Sequence, residues 1–138
     1  MKRESLNPPN DWGATYLMDQ GLVVTGHTRT CYLSGQVALE TDTESPMGVR
    51  VVHPGDMRQQ LGHVLNKIDA LLEQAGMARK NIVFVRFYAT DNTAFLDNYD
   101  VYADWIDAAG IKPPQTDIGV NELAIPGLVI EVEVVAAD

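Results

Sequence analysis

The chain of 138 residues, 46% hydrophobic and 21% charged, is long enough to bury one core and too short for two of ordinary size. Ten basic residues against 19 acidic ones give a formal net charge of −9, with no basic run. Nucleic acid and anionic membranes would repel that charge, so the sequence predicts a single domain over residues 1–138 with neither kind of partner.

The N-terminal third is predicted to contain short strands separated by turns. Residues 1–12 are polar and rich in Asn and Pro, which indicates an irregular lead-in. Segments 21–25 and 29–37 have the β-branched composition of strands. Segment 41–55 holds several Gly, Pro, Ser and Asp residues and is predicted to be mostly loop, with one short strand at 49–52.

Two helices and three strands are predicted in the remainder. Apolar residues recur at three- and four-residue steps over 56–75, with Asp56 as N-cap and Gly76 as a left-handed C-cap. Segment 81–90 reads as a buried central strand and segment 94–109 as a second amphipathic helix. Pro113 and Pro114 then break the chain, and strands are expected at 115–122 and 128–136.

This order predicts an α+β architecture, a mixed β-sheet with two helices packed on one face. Alternation along 81–90 divides the strand between two sides of the sheet. One side carries Val83, Val85, Phe87 and Ala89, and the other carries Phe84, Arg86, Tyr88 and Thr90. Because the second side combines aromatic rings with an arginine, we expect it to meet another subunit in a homo-oligomer.

Motifs for metals, cofactors and export are absent from the sequence. His27, His53 and His63 are scattered over different predicted elements, and Cys31 is interpreted as a small core residue rather than a nucleophile. We therefore expect no metal and no cofactor. No signal-peptide pattern and no long apolar stretch occurs, which favours a cytoplasmic location.

Several segments together resemble the Rid (YjgF/YER057c/UK114) family. Segment 32–37 reads Tyr-Leu-Ser-Gly-Gln-Val, segment 81–91 runs from Asn-Ile-Val to Tyr-Ala-Thr-Asp, and segment 129–133 reads Val-Ile-Glu-Val-Glu. Their order and spacing carry the resemblance from about residue 21 to 136. It implies a chorismate-mutase-like fold and a homotrimer whose small-molecule clefts lie between neighbouring subunits. Members include enamine/imine deaminases, which hydrolyse reactive 2-imino acids to 2-keto acids and ammonia, and non-catalytic relatives.

The resemblance also implies a set of site residues. Glu131 takes the place of the family's catalytic carboxylate, whereas Gln115 stands where the family has an arginine that holds the substrate carboxylate. Met18 (with Tyr16 nearby), Tyr99 and Asp117 align with other pocket positions of the family. Ser34, Gly35 and Thr116 are also expected to shape the pocket, since a glycine permits close approach of a ligand to the backbone. This chain is therefore interpreted as a divergent member that lacks the family arginine.

Three charged residues have alternative interpretations. Glu131 is either an acid/base group or a solvated strand residue. Asp117 is either an exposed residue at a strand start or the partner of Glu131 in a close carboxylate pair with one raised pKa. Arg86, in the middle of a strand, needs an anionic partner, either a carboxylate across a subunit interface or the carboxylate of a ligand.

Two functions follow as hypotheses. The first is an enamine/imine hydrolase or related small-molecule enzyme, and the second is a non-catalytic binding protein that uses the same cleft. Ribonuclease activity, also attached to this family, is disfavoured by the net charge of −9.

Overall fold

The computed structural model describes residues 1–138, and its first strand was not predicted. Strand β1 (Lys2–Leu6) pairs antiparallel with β2 (Gly21–Thr25), where the sequence indicated an irregular lead-in. Side chains of Ser5 and Asn7 donate hydrogen bonds to the carboxylate of Asp19, at 2.5 and 2.9 Å. Pairing with a distant strand forms β1, although its residues are almost all exposed and have no apolar face.

The connection between β1 and β2 contains a 3₁₀ turn at Trp12–Tyr16, capped by Asp11, whose carboxylate accepts from the Gly13 amide at 3.0 Å. Next come β3 (Thr30–Tyr32) and a hairpin of β4 (Leu39–Thr41) with β5 (Val49–Val51). The short strand predicted at 49–52 is confirmed. Its partner β4 was not predicted and ends at the first residue of the segment predicted as loop.

Helix α1 (Met57–Gln74) agrees with the prediction at both ends. The Asp56 side chain accepts from the Gln59 amide at 3.0 Å, and Gly76 has a φ of +70°, the left-handed conformation that glycine adopts without strain.

The second predicted helix is divided in two, α2 (Asn92–Asp97) and α3 (Asp100–Asp107). Asn98 lies at the break, with a φ of −112°, and its side chain donates to the Ala94 carbonyl at 2.8 Å. The prediction of one continuous helix is therefore wrong. Apolar residues recur across the break because both helices face the same core.

The main sheet has the strand order β3-β8-β6-β7, where β6 is Ile82–Ala89, β7 is Gln115–Gly119 and β8 is Ile130–Ala137. β6 runs parallel to β7 and antiparallel to β8, so the sheet is mixed as predicted. An irregularity at Val83 shifts the register at the start of β6. As a result Ile82 is fully buried, and Val83, expected on the core side, is only half-buried.

One hydrophobic core lies between the three helices and one face of this sheet. Gln60 on α1 is the only buried residue with an amide or a charged side chain. Its amide donates to the carbonyls of Gly127 (2.8 Å) and His53 (3.0 Å) and accepts from the Val129 amide at 2.9 Å. α1 is thereby joined to the turn that leads into β8. None of the helices has the length and apolarity needed to cross a membrane.

The opposite face of the sheet, called the open face below, has no helix packed on it. Along β6 and β8 its residues are half-buried, and they alternate with fully buried residues on the helix side. Its principal side chains are Phe84, Arg86, Tyr88, Glu131 and Glu133.

Candidate functional site

A cavity of about 520 Å³ lies on the helix side, at the edge strand β7, and is called the aromatic pocket below. The 3₁₀ turn, α2, the α2–α3 break and β7 form its walls. Its lining residues are Trp12, Tyr16, Met18, Phe95, Leu96, Tyr99, Gln115, Thr116 and Asp117. Of the predicted ligand-binding residues, this brings together Met18, Tyr99, Gln115, Thr116 and Asp117.

A short hydrogen-bond chain orders the pocket wall. The Tyr99 hydroxyl donates to the Tyr16 carbonyl at 2.6 Å and accepts from Gln115 Nε2 at 2.6 Å. Because the only hydroxyl proton of Tyr99 goes to Tyr16, the Gln115 atom that faces Tyr99 must be the donor nitrogen. The other amide atom, Gln115 Oε1, is buried without a hydrogen-bond partner. Burial raises the pKa of Tyr99 to about 12, so this phenol stays neutral.

Asp117 is the only charged side chain in the pocket lining. It has no salt bridge and no side-chain hydrogen bond, and it lies near enough to Tyr99 for its charge to help raise the pKa of that phenol. Asp117 is exposed near the start of β7, as one of its two interpretations expected, and local desolvation of its carboxyl raises the pKa of Asp117. The pocket thus holds an uncompensated carboxylate.

The second cluster of predicted residues lies on the open face, beside a β-bulge. The Leu33 amide bonds to the Val134 carbonyl and the Gln36 amide to the Val132 carbonyl, so Ser34 and Gly35 together oppose one residue of β8. A Cβ atom added to Gly35 would lie 2.8 Å from the carboxyl carbon of Glu131. Glycine at this position therefore lets the bulge backbone approach that carboxylate.

Glu131 and Glu133 share the open face but differ in their partners. Glu133 Oε1 accepts from Arg86 Nη1 at 2.8 Å and from the Tyr88 hydroxyl at 3.2 Å. Glu131 has neither a hydrogen bond nor a salt bridge from its side chain. Burial and the neighbouring charge of Glu133 raise the pKa of Glu131.

Arg86 has an anionic partner, as the sequence predicted, but not one of the two expected. Its partner is Glu133 on the adjacent strand β8 of the same chain, in direct register with it. The guanidinium also lies over the Phe84 ring, 5.1 Å from its centroid. The β6–β8 register thus supplies, within one chain, a carboxylate of the kind that the sequence analysis expected across a subunit interface.

The expected close pair of Asp117 and Glu131 does not form within one chain. Asp117 is level with Phe87, whose ring packs on α2, while Glu131 is level with Tyr88 on the open face. Since neighbouring residues of a strand point to opposite faces, the two carboxylates lie on opposite sides of the sheet. One chain therefore holds two separate clusters, the aromatic pocket and the Glu131 cluster.

Several residues of these two clusters were not selected from the sequence. Trp12 and Leu96 line the pocket and are 60% and 50% exposed, and Glu133 and Tyr88 complete the Arg86 network. The available signal for the pocket was a tryptophan, Trp12, in an otherwise polar segment. No group of three His, Cys, Asp or Glu side chains is arranged to hold a metal ion.

Comparison with known proteins identifies the family of this chain. A family model described as Endoribonuclease L-PSP matches residues 20–138. A RutC family protein of Aquifex aeolicus is 31% identical over 105 residues, which are 76% of this chain and 78% of the relative.

Solved structures extend the match to the whole fold. YyfB from Yersinia pestis, described as a protein of unknown function of the conserved Rid protein family, is 27% identical, and the match covers 100% of both chains with a TM-score of 0.79. TdcF from E. coli, solved with bound serine, has the same fold at 21% identity and a TM-score of 0.65, over 97% of this chain and 93% of its own. The predicted fold class is thereby confirmed. The chain belongs to the Rid family, to which the L-PSP endoribonuclease model corresponds.

Proposed function

We propose that this protein is an enamine/imine hydrolase that works on a small molecule in clefts between the subunits of a homotrimer. The observation that carries the proposal is Glu131, a half-buried carboxylate without a hydrogen-bond partner, with a raised pKa, next to the backbone of Gly35. A general base needs such a free carboxylate, and a raised pKa brings it closer to the working pH.

The proposed reaction is addition of water to a carbon–nitrogen double bond. Glu131 takes a proton from water as the water oxygen bonds to the imine carbon, and it passes that proton to the nitrogen. In the resulting carbinolamine the hydroxyl proton moves through Glu131 to the nitrogen as the C–N bond breaks, so that ammonia leaves and a carbonyl remains. An enamine enters the same route after protonation of its β-carbon. No oxidant or cofactor is needed for this balance.

Trimer assembly is part of the proposal because, within one chain, the aromatic pocket and the Glu131 cluster lie on opposite sides of the sheet. The open face carries two aromatic rings, Arg86 and two glutamates without a covering helix. Exposed apolar surface of this kind is typical of protein interfaces. A neighbouring subunit that covers the open face would bring its aromatic pocket to Glu131 and the Ser34–Gly35 bulge.

The alternative is a binding protein without turnover. It is favoured by the aromatic pocket, which is large enough for a small ligand within one chain and does not contain Glu131. TdcF, solved with bound serine, supports small-molecule binding as one use of this fold. Ribonuclease activity is not proposed, since five of the arginines already pair with carboxylates and the net charge is −9.

The test is hydrolysis of freshly generated imines, followed as loss of trapping by semicarbazide, with one imine that carries a carboxylate (2-iminopropionate) and one that does not (benzaldimine). We expect wild type to accelerate at least one and Glu131→Gln to lose roughly 10²–10⁴-fold, the usual contribution of a general base. Gly35→Ala is expected to lose activity while it stays folded, because its methyl group displaces the Glu131 carboxylate.

The matched control is Glu122→Gln, an exposed glutamate in the loop between β7 and β8. Full activity in that variant and none in Glu131→Gln supports the proposal. Equal activity of Glu131→Gln and wild type contradicts it. If wild type does not differ from buffer with either imine, the binding alternative replaces it.

A further inference from the structure

The lining of the aromatic pocket contains two hydrogen-bond acceptors without a partner in the chain, the Asp117 carboxylate and the buried oxygen Gln115 Oε1. The Tyr99 hydroxyl and one hydrogen of the Gln115 amide nitrogen are used in the wall, while the hydroxyls of Tyr16 and Thr116 can donate or accept. A ligand that carries N–H donors can therefore bond to two acceptors that the chain leaves unpaired.

Three aromatic rings surround the mouth of the pocket. The Trp12 and Tyr16 rings meet edge to face with centroids 6.4 Å apart, and Tyr16 meets Tyr99 in the same way at 5.8 Å. Trp12 is 60% exposed and Tyr16 38% exposed, so their rings remain accessible. The faces of such rings attract cations, with Trp the strongest.

None of the ten basic side chains of the chain lines the pocket. The arginine nearest to β7 in the sheet, Arg86, lies on the open face and pairs with Glu133. A bound carboxylate would therefore meet Asp117 and no counter-charge. A bound cation would find a carboxylate that no other group neutralises.

We propose that the aromatic pocket binds a small organic cation, a primary ammonium or protonated imine on an apolar body, and rejects carboxylates. This inference rests on the proposed function for the identity of the reaction. It adds the substrate class, an imine derived from an amine rather than from an amino acid. The charge preference of the pocket is a binding property, so it is measured separately from turnover.

The test uses three ligands of similar shape and different charge: benzylamine, benzyl alcohol and benzoate. Each is titrated at low ionic strength into the intact ¹⁵N-labelled protein, and the indole N–H signals are followed. Trp12 at the pocket mouth reports binding. Trp105 on α3 is the internal control, since it is nearly buried and its indole N–H donates to Asp69 at 3.0 Å.

We expect benzylamine to shift the Trp12 signal with roughly tenfold higher affinity than benzyl alcohol, and benzoate to bind more weakly than both. Asp117→Asn should lower the benzylamine affinity to nearly that of benzyl alcohol, and 0.5 M salt should have the same effect on wild type. Asp107→Asn, an exposed acidic residue at the end of α3, is the matched control and should change nothing.

A second variant, Gln115→Arg, keeps the test decisive. It places a cation beside Asp117 and should reverse the order, so that benzoate binds more tightly than benzylamine. The proposal is overturned if wild type prefers benzoate, or if Asp117→Asn leaves the benzylamine affinity unchanged. Cation binding without imine hydrolysis would overturn the proposed function and leave this inference standing, and hydrolysis of 2-iminopropionate with no benzylamine binding would do the reverse.

Discussion

The two faces of the β6–β8 strand pair differ in burial and in how their polar groups are paired. On the helix side the residues of the two strands are fully buried, and the buried amide of Gln60 is hydrogen-bonded through both its oxygen and its nitrogen, whereas the Tyr102 hydroxyl is buried without a partner. On the open face the residues are half-buried, and Glu131 has no partner. The helix side therefore specifies the fold, and the open face keeps unsatisfied groups that binding or assembly can use.

A pair of phenylalanines on β6 tests this difference most strongly. Phe87 is fully buried, with its ring 4.8 Å from those of Phe95 and Tyr102, whereas Phe84 lies on the open face. Phe87→Ala is expected to lower the free energy of unfolding by about 3–5 kcal/mol, because it leaves a cavity in the core. Urea unfolding at several protein concentrations measures it, and the loss should be the same at each.

Phe84→Ala is the matched control for that variant. It is expected to lower stability by about 1 kcal/mol in the isolated subunit, and to shift sedimentation toward smaller species on dilution if another subunit covers the open face. A Phe84→Ala protein with unchanged assembly at every concentration would show that the open face is not an interface.

Polar groups on the helix side provide the second test. Gln60→Leu keeps a similar volume and leaves the Val129 amide without a partner, while the carbonyls of Gly127 and His53 still accept from the amides of Gly55 and Asp56. A buried amide left unpaired costs about 1–3 kcal/mol, so we expect a loss of roughly 2 kcal/mol in urea unfolding. The control is Gln74→Leu at the exposed end of α1, where a change below about 0.5 kcal/mol is expected. Equal effects of the two variants would contradict the special role of Gln60.

A substitution of Glu131 on the open face should give the smallest change in the free energy of unfolding, and that change should be a gain. The pKa of Glu131 is raised in the folded chain, so the fold favours its protonated form and ionisation at higher pH destabilises the fold. Glu131→Gln removes that destabilisation. Its free energy of unfolding should exceed that of wild type at pH 8 by less than about 1 kcal/mol, because the carboxylate is only partly buried and solvent screens it.

Thermal unfolding between pH 3 and 8 measures this gain. It is expected to shrink as the pH falls through the raised pKa and to vanish below the ordinary pKa of a glutamate. Glu122→Gln should show no such trend. A Glu131→Gln protein less stable than wild type at pH 8 would indicate that Glu131 has a stabilising partner after all.

Long periodic segments made much of the fold predictable from the sequence. Helix α1 and strand β6 have apolar repeats and end signals within the segment itself, such as Asp56 and Gly76. β1 has neither, because its residues are exposed and only a partner about 20 residues away makes it a strand. The break at Asn98 was hidden because the apolar repeat continues through it.

The candidate site was predictable as a set of residues and not as an arrangement. Gly35 and Glu131 follow from the family resemblance, and the structure places them in contact distance. The separation of Asp117 from Glu131 depends on the registers of β7 and β8 against β6, which no local pattern encodes. The pairing of Arg86 with Glu133 could not be predicted either, because the register between β6 and β8 decides which charged residues lie opposite each other.

The position of β8 has a consequence for how the protein is made. β8 is the last strand in the chain, but it lies inside the sheet, between β3 and β6. Roughly 60 residues separate the end of α1 from the end of β8, and at about 5–20 residues per second a ribosome needs several seconds to add them. During that interval the apolar side of α1 has only part of its sheet to pack on. The nascent chain must therefore be protected by chaperones or remain loosely collapsed until residues 130–137 emerge.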